Sequence, residues 1–318
     1  MMGIAPSLTQ LYVPLISWIS FGVILGRVLP IIIPNTLGKG LFWVGVPISI
    51  ATFLRQADLS GKIWLAPAIA WFSIFLGGGL AWLWIQGHPV VAWSNPSKAS
   101  FLNASTLGNT GYLGYPIVLA LVDHKYFAWA VFYDTLGSTL ASYGLAVILA
   151  SYFGKGQCQT FHPSSLAMLL KQTTTTLIST PALWGFGVGL GLQSIPLPDP
   201  IEATLRGMAW TVIALALLLL GMRLSKIRAW HQVQRAIVAL GIKMLVVPLI
   251  VGLGLQRLGF DSHPLQVVVL QIGMPPAFAT LIIAEAYDLD QDLTVTTLAL
   301  GTVGILLTLP LWFGIFSP

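Results

Sequence analysis

Asn109, Thr110, Tyr115 and Pro116 stand inside an apolar stretch, about residues 101–122, that is long enough to cross a membrane. A plain spanning helix has no use for an Asn, a Thr, two glycines and a proline at its middle. Pro116 has no N–H and clashes with the carbonyl four residues back, and Gly111 and Gly114 weaken the helix further. Non-helical backbone at membrane depth is tolerated only where it is buried in protein or lines a polar cavity. A second such place lies at Gln271, Gly273, Met274, Pro275 and Pro276. The sequence therefore predicts that both segments are interrupted, near Pro116 and Pro275, and that the breaks approach each other around one polar site. Half-helices starting there present free N–H groups and positive dipole ends, which suit an anion. Asn109, Thr110 and Gln271 add side-chain donors, and Asn109 is expected to face the bound solute with Gln271 nearby. The bland alternative is a pair of kinked helices with packed glycines; two breaks in matching places argue against it.

Two ionisable side chains also lie at depth. Asp134 is eight residues into the apolar stretch 126–153, about 12 Å at 1.5 Å per residue. Lys243 is as far into 235–257, from the opposite side. A charge at the bilayer centre costs about 2.5–3.5 kcal/mol on insertion scales and needs a partner or water. Each reads either as a functional group, a counter-charge to a solute or a proton-coupling site, or as part of a structural ion pair, or, for Lys243, as a lysine snorkelling to the interface. Their depths bring them within side-chain reach, so a mutual pair is expected. Catalytic patterns are missing: there is no G-x-S-x-G, no H-E-x-x-H and no pair of intramembrane aspartates, so no enzyme is expected. Glu285, Asp288, Asp290 and Asp292 lack the Gly and terminal Glu of a calcium loop. Cys158 stands alone and the five histidines lack spaced partners, so neither metal nor cofactor is expected.

The elements that carry these residues are helices in a bilayer. Only 8% of the chain is charged and 56% is hydrophobic, whereas soluble domains carry roughly 25% charged residues. The net charge of +5 is too thinly spread for nucleic-acid binding. The N-terminus lacks a basic region and a small-residue cleavage site, so no removable signal peptide is expected. Ten segments qualify as spans: about 10–33, 40–55, 63–86, 101–122, 126–153, 174–193, 203–222, 235–257, 263–286 and 293–316. The second is short, with Pro47 a candidate kink.

The halves look related. Phe21-Gly22-Val23-Ile24-Leu25-Gly26 is matched at five of six residues by Phe186-Gly187-Val188-Gly189-Leu190-Gly191. Pro116 and Pro275, and then Gly137 and Gly301, keep the same order and nearly the same spacing. Five helices per half is an odd number, so the halves lie inverted in the membrane. The fold class is an all-α membrane protein of two inverted five-helix repeats, 1–153 and 174–318, joined by a cytoplasmic linker, 154–173. With the N-terminus outside, nine basic residues fall in inner loops against five in outer loops, the cluster Arg223–Arg235 weighing most. Both termini are therefore expected on the non-cytoplasmic side of the inner (plasma) membrane.

At these residues the chain resembles the auxin efflux carrier family of plant exporters and bacterial carriers. Asn109-Thr110 with Gly114-Tyr115-Pro116 is similar to that family's Asn-Thr…Gly-x-Pro crossover in the fourth helix. Gln271 with Met274-Pro275 resembles the matching Gln…Leu-Pro of the ninth, and Ala284-Glu285-Ala286-Tyr287, Thr296-Thr297 and Leu309-Pro310 resemble the last part of the chain. The resemblance implies a scaffold of helices 1, 2, 6 and 7, a moving transport domain of helices 3–5 and 8–10, a homodimer and carboxylate substrates. The acidic residue and lysine that plant carriers have in helix 3 are missing from residues 63–86. The expected function is a secondary active transporter of a small organic anion by alternating access of the elevator type. Expected substrate-binding residues are Asn109, Thr110, Tyr115, Pro116, Gln271, Met274 and Pro275, with Asp134 and Lys243 as coupling or intramembrane charges. The alternatives are a sodium-coupled symporter of the related bile-acid type and a membrane sensor without turnover.

Overall fold

Where water is absent, backbone groups must bond within their own segment, and a helix is how an open chain does so. The computed structural model describes residues 4–316 apart from 56, 58, 60, 89–92, 155–179, 194 and 226–231, and no strand occurs among the described residues. The expected linker beyond Gly154, with Cys158 and His162, lies outside them, as do Lys226, Arg228 and His231. The helices, in chain order, are α1 (Ile4–Val28), α2 (Ile32–Arg55), α3 (Leu65–Gly87), α4 (Asn95–Thr106), α5 (Thr110–Leu121) and α6 (Phe127–Phe153). They continue as α7 (Pro181–Gly191), α8 (Asp199–Leu224), α9 (Val233–Arg257), α10 (Ser262–Ile272), α11 (Ala279–Ala286) and α12 (Gln291–Ile315). Six of these, α2, α3, α6, α8, α9 and α12, are long and apolar enough to cross a membrane.

The first boundary differs from the sequence expectation. α1 stops at Val28 rather than near residue 33, because Pro30 cannot continue it. α2 starts at Ile32, with Pro34 in its first turn, where a proline's missing N–H costs nothing. The second segment is thus a full-length span rather than a short one. Pro47 does not break it. Leu41–Gly45 forms a widened π turn just ahead of the proline. The same device recurs at Thr110–Gly114 before Pro116 and at Ile242–Val246 before Pro248. One extra residue in the turn changes which carbonyl faces the proline ring, so the helix passes it without stopping.

α1 packs along α8, α7 along α2, and α8 along α2. These seams are closed by glycine. A Cβ on Gly22 would overlap the Leu218 carbonyl oxygen, and one on Gly221 would overlap that of Ile19. On the other seam Gly185 meets the Pro47 carbonyl, and Gly189 stands against Ala51. Small residues let backbones approach where lipid supplies no hydrophobic drive. The hexapeptide at Phe21 supplies Gly22, and the one at Phe186 supplies Gly189, with Gly185 just before it.

Polar contacts tie both ends of the bundle. At one end Arg55 bonds Glu202 at 3.1 Å and the Leu192 carbonyl at 3.2 Å. At the other, the Asp290 carboxylate accepts from Ser97 at 2.6 Å and Gln232 at 2.7 Å, and it caps α12 through the Leu293 N–H.

Candidate functional site

α4 begins with the Ser94 hydroxyl accepting from the Ser97 N–H and with Pro96 in the first turn, and it ends at Thr106. The chain then runs without helix through Leu107, Gly108 and Asn109 before α5 starts at Thr110. α10 ends at Ile272, and residues 273–278 lead without helix to α11. The two gaps meet. The Asn109 N–H donates to the Pro275 carbonyl at 2.7 Å, and the Ala277 N–H donates to the Leu107 carbonyl at 3.1 Å. Gly108 faces Pro276 as a short antiparallel bridge. Backbone groups freed by the interruptions thus satisfy each other. In the first segment the interruption precedes Pro116 by two turns. Pro116 itself is inside α5, carried past by the π turn.

Beside the crossing lies a cavity of about 120 Å³. One wall is Gly108, Asn109, Thr110, Gly111 and Tyr112 with Ala277 and Phe278; Phe42 and Val46 of α2 and Ala182 of α7 close the opposite side. Asp134, Ser138, Thr139, Ser142 and Tyr143 of α6 complete it. Asp134 is buried where α6 widens into the turn Asp134–Thr139. Its carboxylate accepts from the Thr110 hydroxyl and, at 2.8 Å, from the Tyr115 hydroxyl. It lies over Gly111, where a Cβ would stand 3.4 Å from Oδ2. Lys243 is on the other face of the crossing. Its Nζ donates to the Ile272 carbonyl at 2.5 Å, and it lies against Gly108, which lines the cavity. The expected Asp134–Lys243 pair is therefore not formed: the segment 108–111 runs between the two groups, and each finds partners on its own side. Arg223, half-buried near the end of α8, stacks on Phe278 with its guanidinium 5.0 Å from the ring centre.

A model of the family described as membrane transport protein matches residues 37–313 of the chain. The chain belongs to this family. It is the family of the auxin efflux carriers, which the crossing motifs resemble. An uncharacterized transporter of Methanothermobacter thermautotrophicus is 28% identical over 281 residues, 87% of each chain. One of Methanocaldococcus jannaschii is 25% identical over 279 residues, again 87% of each. The protein is a multi-pass membrane transporter and not an enzyme.

In this transporter the sequence-predicted site residues divide. Asn109, Thr110 and Asp134 line the one cavity together. Tyr115 reaches Asp134 from behind and, with Pro116, borders a small void of about 20 Å³ against Val46 and Val212. Met274 and Pro275 build the crossing from its far side, near Gly108 and Gly301. Gln271 lines neither of these two cavities; its amide packs on Gly114, where a Cβ would overlap it, and neither amide atom has a hydrogen-bond partner. Sequence reasoning missed Phe42, Tyr112, Phe278 and the hydroxyl group of residues 138–143. A signal for the last was available: Ser138, Thr139, Ser142 and Tyr143 put four hydroxyls in six residues of an apolar span.

Proposed function

We propose that the transporter is a secondary active carrier for a small organic anion, a carboxylate, working by alternating access of the elevator type. The cavity at the crossing carries this reading. It is small, polar on the crossing side, and set between the crossing and the body formed by α2 and α7. In the proposal α1, α2, α7 and α8, closed by glycine seams, are the fixed frame of each protomer in a homodimer in the plasma membrane. The remaining helices, in two inverted repeats, carry the crossing and its solute past that frame.

Two cations flank the cavity, Lys243 behind Gly108 and Arg223 on Phe278, and both favour an anion. The carboxylate of Asp134 opposes it. Two negative charges in so small a space repel, so the anion is expected to enter with one proton on Asp134. Ionised, Asp134 holds the Thr110 hydroxyl. Protonated, it can donate to that oxygen instead, and the Thr110 O–H is then free to turn toward the anion. Counterflow in proteoliposomes against a panel of labelled carboxylates tests the reading. At least one carboxylate should exchange, and an acid-outside gradient should accelerate its uptake. Asp134→Asn should still exchange but no longer respond to the gradient. If no carboxylate exchanges, the anion reading falls; if a sodium gradient drives uptake and a pH gradient does not, the bile-acid type of symport replaces it.

A further inference from the structure

Lys243 is a cation without an anion beside it. Its side chain is 4% exposed, in the π turn Ile242–Val246 of α9. The ion pairs Arg55–Glu202 and Lys125–Asp123 form elsewhere in the bundle, and neither involves Lys243. Burying an ammonium is costly unless something compensates it. The compensation here is backbone. Nζ donates to the carbonyl of Ile272, the last residue of α10, where carbonyls lack partners within the helix and the dipole is negative. The end of α4 at Thr106 lies two residues before Gly108, against which the same ammonium rests. A Cβ at residue 108 would stand 3.1 Å from Nζ and 3.3 Å from Cε. The glycine is what lets the ammonium reach the crossing. The π turn and Gly108 together deliver one positive charge to the point where two interrupted helices end.

We propose that the Lys243 ammonium is a tethered cation that occupies the place a free sodium ion would take at the crossing. The carrier then needs no metal cation to hold its two helix ends together or to attract its anion. This rests on the crossing being the transport site, but its test uses no substrate. The melting temperature of the purified transporter in lipid nanodiscs is measured in sodium chloride and in choline chloride at equal ionic strength. The wild type should melt at the same temperature in both. Lys243→Ala leaves the Ile272 carbonyl without a cation and should melt several degrees lower. Ethylammonium or sodium should restore at least half of that loss, and the bulkier choline should not. Lys243→Met fills the space with a neutral chain and should not be rescued. A sodium-specific rise in the wild type overturns the proposal, and so does a Lys243→Ala variant that neither small cation rescues. If Lys243→Ala does not fold, binding of radioactive sodium to the wild type decides: none is expected, and saturable binding overturns the tethered cation. Failure of every carboxylate in counterflow would leave these melting curves unchanged, so the two readings fall separately.

Discussion

Asn109 and Gln271 carry related amides in different surroundings, and that separates their expected behaviour. Asn109 lines the cavity. If the proposed anion binds there, Asn109→Ala removes a donor to it, worth about 1.5–3 kcal/mol, and apparent affinity in counterflow should fall roughly ten- to hundredfold. An unchanged affinity would mean that the side chain serves only its own loop. Gln271 is 0% exposed and its amide bonds nothing. An unmet buried amide costs about 1–3 kcal/mol, so Gln271→Met should raise the melting temperature while affinity stays put. A large loss of affinity instead would bring Gln271 into the solute's path. The same sequence signal singled out both residues: a polar side chain in an apolar run. That signal reports depth, not the direction the side chain faces, which is why it groups Gln271 with Asn109 and Thr110 although only the latter two line the cavity. Depth arithmetic also joined Asp134 to Lys243, because it treats helices as bare rods and takes no account of the segment between them. Phe42, Tyr112 and Phe278 were illegible for another reason. Aromatic residues are too common in this chain for three of them to stand out.

At the scale of the helix, prolines and glycines were readable as punctuation but not as geometry. Pro30 ends α1 and Pro275 sits in an interruption, as a missing N–H suggests. Pro47, Pro116 and Pro248 do neither, since each follows a π turn. A single sequence does not reveal where a helix takes an extra residue, so the proline alone points to an interruption near Pro116 rather than around Gly108. Glycines divide in the same way. Gly22 touches the backbone of α8, whereas Gly187, in the matching hexapeptide, has nothing within 4 Å of the place a Cβ would take. Gly22→Ala should therefore destabilise by about 1–3 kcal/mol through overpacking. Gly187→Ala should stabilise by about 0.5–1 kcal/mol through helix propensity. Thermal unfolding of the two variants checks both signs, and equal effects would remove the distinction between the seam and the lipid face.

For the whole molecule the first question is which end faces the cytoplasm. Lys62, Lys125 and Asp261 border a common cavity of about 210 Å³, so their loops share one end. Asp290, Ser97 and Gln232 meet at the other. The basic-residue count puts the first end outside. In a Cys158→Ser background, cysteines at Lys62 and Lys125 should react with an impermeant maleimide in intact cells, and one at Asp288 should react only after lysis. The reverse pattern would invert the orientation and the two termini with it.

The crossing also constrains how the chain is made. Its two hydrogen bonds join Leu107 and Asn109 to Ala277 and Pro275. At about 5–20 residues per second, the roughly 170 residues between Asn109 and Pro275 take about 10–30 s to synthesise. Through that interval the nascent fourth segment has no partner for the backbone it leaves unpaired. It must wait near the insertion machinery or at the lipid headgroups, because the bilayer interior penalises each unmet group by several kcal/mol. A chain truncated before Pro275 never leaves that state, and so offers the cell's quality control a marked target rather than half a carrier.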